Sequence, residues 1–164
     1  MDYKLAKFTG ALGKLLLEKK YQLAVAESCT GGWLSKVITD VRGSSEWFNY
    51  GFVVYSDQAK HKLLGVSPEL IATYGAVSAE TVIAMAQGAV AKSGSDLAIA
   101  ISGIAGPDGG TPDNPLGTVW FGWAFPDGST KAKRKLFPGH RSVVRYHAVR
   151  IALIITTNML QKYQ

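Results

Sequence analysis

Five consecutive apolar residues, Leu97-Ala98-Ile99-Ala100-Ile101, run almost directly into a fifteen-residue loop, Gly103 to Gly117, containing Pro107, Asp108, Gly109, Gly110, Pro112 and Pro115. A strand with no polar alternation must be covered on both faces, which is the situation of central strands in layered α/β domains. A loop of that length without regular structure is usually functional. The flanking pattern agrees with a layered domain. Leu5, Phe8, Leu12, Leu15 and Leu16 recur at helical spacing over residues 2–20, and Leu23 to Ala26 is a short buried strand bounded by charge. Phe52 to Tyr55 reads as a second strand and Gln58 to Leu64 as a short helix closed by Gly65. Ser67-Pro68 and Ser78-Ala79-Glu80 are helix starts. Thr118–Phe125 and Thr130–Phe137 form a hairpin about Pro126-Asp127-Gly128, and Arg141 to about Gln161 is the last helix. Helices alternating with buried strands, plus one hairpin, give an α/β domain with a mixed sheet.

Composition narrows the classes. At 164 residues the chain is of single-domain length, spanning 1–164 as one unit, and a hydrophobic fraction of 47% excludes a disordered chain. No uncharged apolar stretch reaches 18 residues, and the N-terminus lacks the apolar core of a signal peptide, so the expected location is cytoplasmic, with no membrane partner. The single cysteine, Cys29, excludes an internal disulfide and a Cys-rich zinc site. Of the charges, residues 130–164 carry eight basic and no acidic side chains, while residues 1–129 carry ten basic and twelve acidic ones. Lys131, Lys133, Arg134 and Lys135 lack the aromatic interleaving of a single-strand platform, so nucleic acid is not the expected partner. A solvated strand and helix face is the simpler reading, and a few of these cations could draw an anionic small molecule.

Four segments carry candidate chemistry. The turn Ala26-Glu27-Ser28-Cys29-Thr30-Gly31-Gly32 puts hydroxyls and backbone N–H groups at a helix N-terminus, where a phosphate or carboxylate is favoured, although plain helix capping explains Ser28 or Thr30 as well. No Lys follows its glycines, so it is not a P-loop. Tyr55-Ser56-Asp57-Gln58-Ala59-Lys60 offers a phenol and an amine one helical turn apart, and a Lys can serve as base to a Ser when its pKa is lowered. Cys29 has no His at diagnostic spacing and reads as a small buried residue. Arg141, after Pro138-Gly139-His140, opens the last helix, where a guanidinium is either exposed or clamps a phosphate.

Together with Gly43-Ser44-Ser45-Glu46-Trp47-Phe48, Leu64-Gly65-Val66, Gly75-Ala76-Val77-Ser78, Ser102 to Gly110 and Gly117-Thr118-Val119-Trp120, these segments resemble the C-terminal domain of the CinA (competence/damage-inducible) family over about Leu5 to Leu160. The resemblance implies a three-layer α/β/α sandwich, a homo-oligomer, and no cofactor or metal. Its stand-alone members are nicotinamide-nucleotide amidases, which turn the carboxamide of nicotinamide mononucleotide into a carboxylate and ammonia. The implied chemistry is a Ser-Lys amidase with Lys60 as general base and Tyr55 as its assisting hydroxyl. Ser45 is the first candidate nucleophile and Ser28 its competitor, because Ser28 at a helix N-terminus also suits an anion or a carboxamide oxygen. Ser102 and Arg141 match positions expected to hold the phosphate or orient the amide, with Thr30, Gly31, Gly32 and Gly106 as further binding positions.

Three departures from the family pattern stand out: Asp57 where Asn is usual, His140 where Asp is usual, and Asn114-Pro115-Leu116 where Lys-Pro-Val is usual. Asp57 brings a negative charge near Lys60, which raises an amine's pKa. These charge changes support an alternative, a weak or inactive ligand-binding domain acting through a partner in competence or DNA-damage response.

Overall fold

The computed structural model describes residues 1–163 and contains five strands and six α-helices among them. In chain order these are α1 (Tyr3–Lys19), β1 (Leu23–Glu27), α2 (Trp33–Thr39), a 3-10 turn (Ser44–Glu46), β2 (Phe48–Val53), α3 (Asp57–Leu64), α4 (Pro68–Tyr74), α5 (Ala79–Ser93), β3 (Leu97–Gly103), β4 (Thr118–Ala124), β5 (Thr130–Leu136) and α6 (Arg141–Lys162). The sheet order is β2-β1-β3-β4-β5, with β1 parallel to β2 and β3, and β4 antiparallel to both β3 and β5. The sheet is therefore mixed, and the single α/β domain is the three-layer sandwich expected.

Side-chain alternation in the central strands divides the core. Leu23 and Val25 of β1 and Leu97, Ile99 and Ile101 of β3 pack with residues of α1, α2 and α6, while Ala24, Ala26, Ala98 and Ala100 face α3, α4 and α5. Large residues on one face and alanines on the other let α5 lie close to the sheet. Gly122 of β4 completes this approach, since a Cβ there would strike the backbone of Val82 in α5. Trp123, fully buried, ties the sheet to α6 by donating its indole N–H to Thr156 Oγ1 at 2.8 Å.

Local chemistry sets the ends of the elements. Asp2 caps α1 by accepting from the N–H groups of Lys4 and Leu5, and Ser56, Ser67 and Ser78 cap α3, α4 and α5 in the same way. Gly65 ends α3 with φ +70°, the left-handed conformation that closes a helix. The second strand lies earlier than the residue pattern suggested: it pairs over Phe48–Val53, because Ser56 commits the chain to the α3 cap and takes Tyr55 out of the ladder. The run Leu97 to Ile101 is buried throughout, as its composition requires.

Candidate active site

The three mutually parallel strands end on the same side of the sheet, the side where α/β domains place ligands. Glu27, the last residue of β1, is completely buried and accepts four hydrogen bonds. Two come from the hydroxyls of Thr30 (2.6 Å) and Ser35 (2.8 Å), and two from the N–H groups of Leu34 (3.0 Å) and Ser35 (2.8 Å). Gly32, at the head of α2, has no side chain with which to cap it, and the Glu27 carboxylate takes that place. A buried carboxylate with a full set of donors at a positive helix end is a stable anchor. It fixes the turn carrying Ser28 and Cys29. From the other side, Arg145 of α6 donates to the carbonyls of Cys29 (3.0 Å) and Thr30 (3.2 Å) while lying over the Trp33 ring.

Lys60 reaches this turn from α3. Its Nζ stands 3.1 Å from Ser28 Oγ, 3.1 Å from the Val54 carbonyl and 3.2 Å from the Tyr55 carbonyl, and the residue is only 1% exposed. Burial lowers its pKa below the ordinary lysine value, and the charge of Asp57 partly opposes that shift. The Tyr55 carbonyl, 3.3 Å from Ser28 Oγ, is the alternative acceptor for the single Ser28 proton when Lys60 donates to Oγ. Two N–H bonds of a neutral amine satisfy the two carbonyls, leaving a lone pair for the Ser28 proton. The arrangement can therefore deprotonate an alcohol.

Around this pair lies a cavity of about 280 Å³ lined by Cys29, Asp57, Val77, Ser102 and Arg141 among others. Arg141 donates to the Gly106 carbonyl (3.0 Å) and to the Tyr55 phenol oxygen (3.3 Å). Two of its five N–H groups are thus engaged, and three remain for an anion. Ser102 lines the cavity with its hydroxyl donated to the Ala76 carbonyl at 2.8 Å. Asn114 anchors the long loop to the cavity wall through the Val77 carbonyl, 3.3 Å away. Cys29 is buried with its thiol pushed up to about 12, chiefly by desolvation, so it stays protonated and is a poor nucleophile.

Ser45 lies elsewhere. It sits exposed in the 3-10 turn that precedes β2, whereas Tyr55 and Lys60 follow β2, so the length of that strand separates them. Placement before the strand that leads to Lys60 amounts to placement at its opposite end. The hydroxyl beside Lys60 is that of Ser28. Thr30, Gly31 and Gly32 lie outside the cavity wall, with the Thr30 hydroxyl turned inward to Glu27, and Gly106 takes part through its carbonyl on Arg141. Arg145 carries no motif that marks it in the sequence, and Glu27, although within the Ala26 to Gly32 turn, is not among the candidates there. The one available signal is an acidic residue directly ending an apolar strand. Among the described residues no three His, Cys, Asp or Glu side chains converge as metal ligands, and no helix is long and apolar enough to cross a membrane. A larger groove of about 600 Å³ lies between β5 and α6, lined by Lys131, Lys133 and Lys162 with Phe125, and holds no candidate nucleophile or base.

Known proteins resemble this chain in sequence and in fold. The sequence profile of the CinA C-terminal domain matches residues 5–160. Two proteins named nicotinamide-nucleotide amidohydrolase PncC, from Enterobacter agglomerans and Escherichia coli (strain K12), are each 47% identical over 152 residues. The match covers 93% of this chain in both cases, and 93% and 92% of those proteins respectively. The crystal structure of the competence damage-inducible protein A (ComA) from Klebsiella pneumoniae superposes with a TM-score of 0.94 at 39% identity, covering 98% of this chain and 99% of that one.

Proposed function

The chain belongs to the CinA C-terminal domain family, and from that membership and the site's geometry we propose that it is a nicotinamide-nucleotide amidase working by a Ser-Lys mechanism, with Ser28 as nucleophile. The relatives named for this reaction support the substrate class. The observation that carries the mechanism is the 3.1 Å approach of a buried lysine amine to the Ser28 hydroxyl.

Neutral Lys60 takes the Ser28 proton as Oγ attacks the carboxamide carbon. The resulting oxyanion is met by the backbone N–H of Cys29, the residue of the turn that lines the cavity beside Ser28. The Lys60 ammonium then protonates the departing nitrogen, the C–N bond breaks, ammonia leaves, and an acyl ester remains on Ser28. A water molecule gives its proton to Lys60 as it attacks the ester, and the carboxylate departs as the proton returns to Ser28 Oγ. The carbonyls of Val54 and Tyr55 keep the amine aimed through both halves of the cycle. Arg141, with three spare N–H groups, binds the phosphate, so that contacts remote from the reacting carbon orient the amide. Tyr55 acts here by holding Arg141 through its phenol oxygen. A cytoplasmic, homo-oligomeric enzyme belongs to the same reading; exposed Tyr50 and Val53 on edge strand β2 are apolar surface for self-association, measurable by sedimentation.

The test is ammonia release from nicotinamide mononucleotide by the purified chain. Ser28→Ala is expected to lower the rate by ~10³-fold or more, as loss of a nucleophile does. Ser45→Ala is expected to leave it unchanged. Full activity in Ser28→Ala would refute the mechanism, and no ammonia from the unaltered chain would refute the function.

A further inference from the structure

Three charged side chains line the cavity: Lys60, Asp57 and Arg141. For the reaction proposed above Lys60 must be neutral, which leaves one fixed carboxylate and one fixed guanidinium. A ligand with one positive and one negative group complements that pair. Nicotinamide mononucleotide has this character, since its quaternary ring nitrogen is cationic and its phosphate anionic. The ring nitrogen is only a few ångströms from the carboxamide carbon, so a substrate whose amide meets Ser28 brings its positive ring beside Lys60. Asp57 is the one carboxylate lining that region, because Glu27 is consumed by its four donors beneath the turn. We propose that Asp57 is a specificity residue that selects the cationic, oxidised pyridinium ring over the neutral dihydropyridine ring of the reduced nucleotide.

This inference rests on the amidase reading for its substrate class. Asp57 also occupies the first turn of α3, where a carboxylate complements the helix end, and that role alone would not discriminate between ring charges. In the proposed role its cost to the enzyme is opposition to the neutral state of Lys60. Its benefit is binding energy given only to the charged ring.

The experiment measures dissociation constants of nicotinamide mononucleotide and its 1,4-dihydro form by calorimetry, for the unaltered chain, Asp57→Asn and Asp57→Glu, each in a Ser28→Ala background that prevents turnover. Asn keeps the side-chain size and leaves the Ser56 cap of α3 untouched. Asp57→Asn is expected to weaken binding of the oxidised nucleotide by about fivefold, as loss of one partly exposed charge pair does, and to leave the reduced one within twofold. Asp57→Glu is expected to retain the preference. Equal changes for both ligands, or no change for either, would overturn the proposal. Binding with the expected preference but no ammonia release by the chain with Ser28 intact would refute the amidase reading while leaving the selection by Asp57 standing. Failure to bind either nucleotide would overturn both.

Discussion

A lysine amine buried to 1% exposure is an expensive group to keep, and Lys60 keeps its place through three oxygen partners rather than an ion pair. Its lowered pKa makes the acid side of the pH–activity profile report the neutral amine, so activity rises with pH through a midpoint below the ordinary lysine value of 10.5. Asp57 raises that midpoint, and Asp57→Asn is expected to move the profile towards lower pH, measured as initial rates of ammonia release across the range. Stability follows the same sign. The unfolded chain binds the lysine proton at the ordinary value and the folded chain only at a lower one, so unfolding free energy rises with pH between the two. Lys60→Met is expected to remove that increment while abolishing activity, readable as a flatter pH dependence of the urea midpoint. Lys60→Arg, which cannot lose its proton, is expected to be inactive.

At the scale of elements, the site depends on two short helices held by unusual means. Helix α2 is capped by a strand residue, Glu27, and replacing that carboxylate with an amide turns one oxygen acceptor into a donor facing donors. Glu27→Gln is expected to destabilise the fold by roughly 2 kcal/mol or more, measured by urea denaturation, and to lower kcat as the Ser28 turn loosens. Helix α3, which carries Lys60, ends against Gly88 of α5, where a Cβ would collide with the Leu64 carbonyl. Gly88→Ala is expected to push α3 outward, costing about 1–3 kcal/mol and much of the activity, read in parallel by denaturation and ammonia release. The elements themselves were largely legible in the sequence: α5 and the Leu97 strand are marked by caps and by apolar content, and α6 by its stripe of Val144, Ala148 and Ile151. What the chain order hides is which strand ends share a side of the sheet. Ser45 and Lys60 are fifteen positions apart and Ser28 is thirty-two from Lys60, yet the parallel pairing of β1 with β2 sets the more distant serine against the amine. Arg145 is hidden for a related reason, since it stands 115 positions from Thr30, whose carbonyl it holds.

Across the whole molecule, the sheet is tied to the α6 layer by the buried Trp123–Thr156 hydrogen bond, and Thr156→Val would leave the indole N–H without its acceptor. A loss of about 1–3 kcal/mol is expected, seen as a lower urea midpoint by tryptophan fluorescence with ammonia release unaltered at temperatures well below unfolding. The active site spans all three layers. Ser28 comes from the centre of the sheet, Lys60 from the layer of α3 to α5, and Arg141 and Arg145 from the opposite layer. Because Arg141 and Arg145 both stand on α6 while Ser28 and Lys60 do not, capture of the anion and transfer of the proton are entrusted to different layers of one fold.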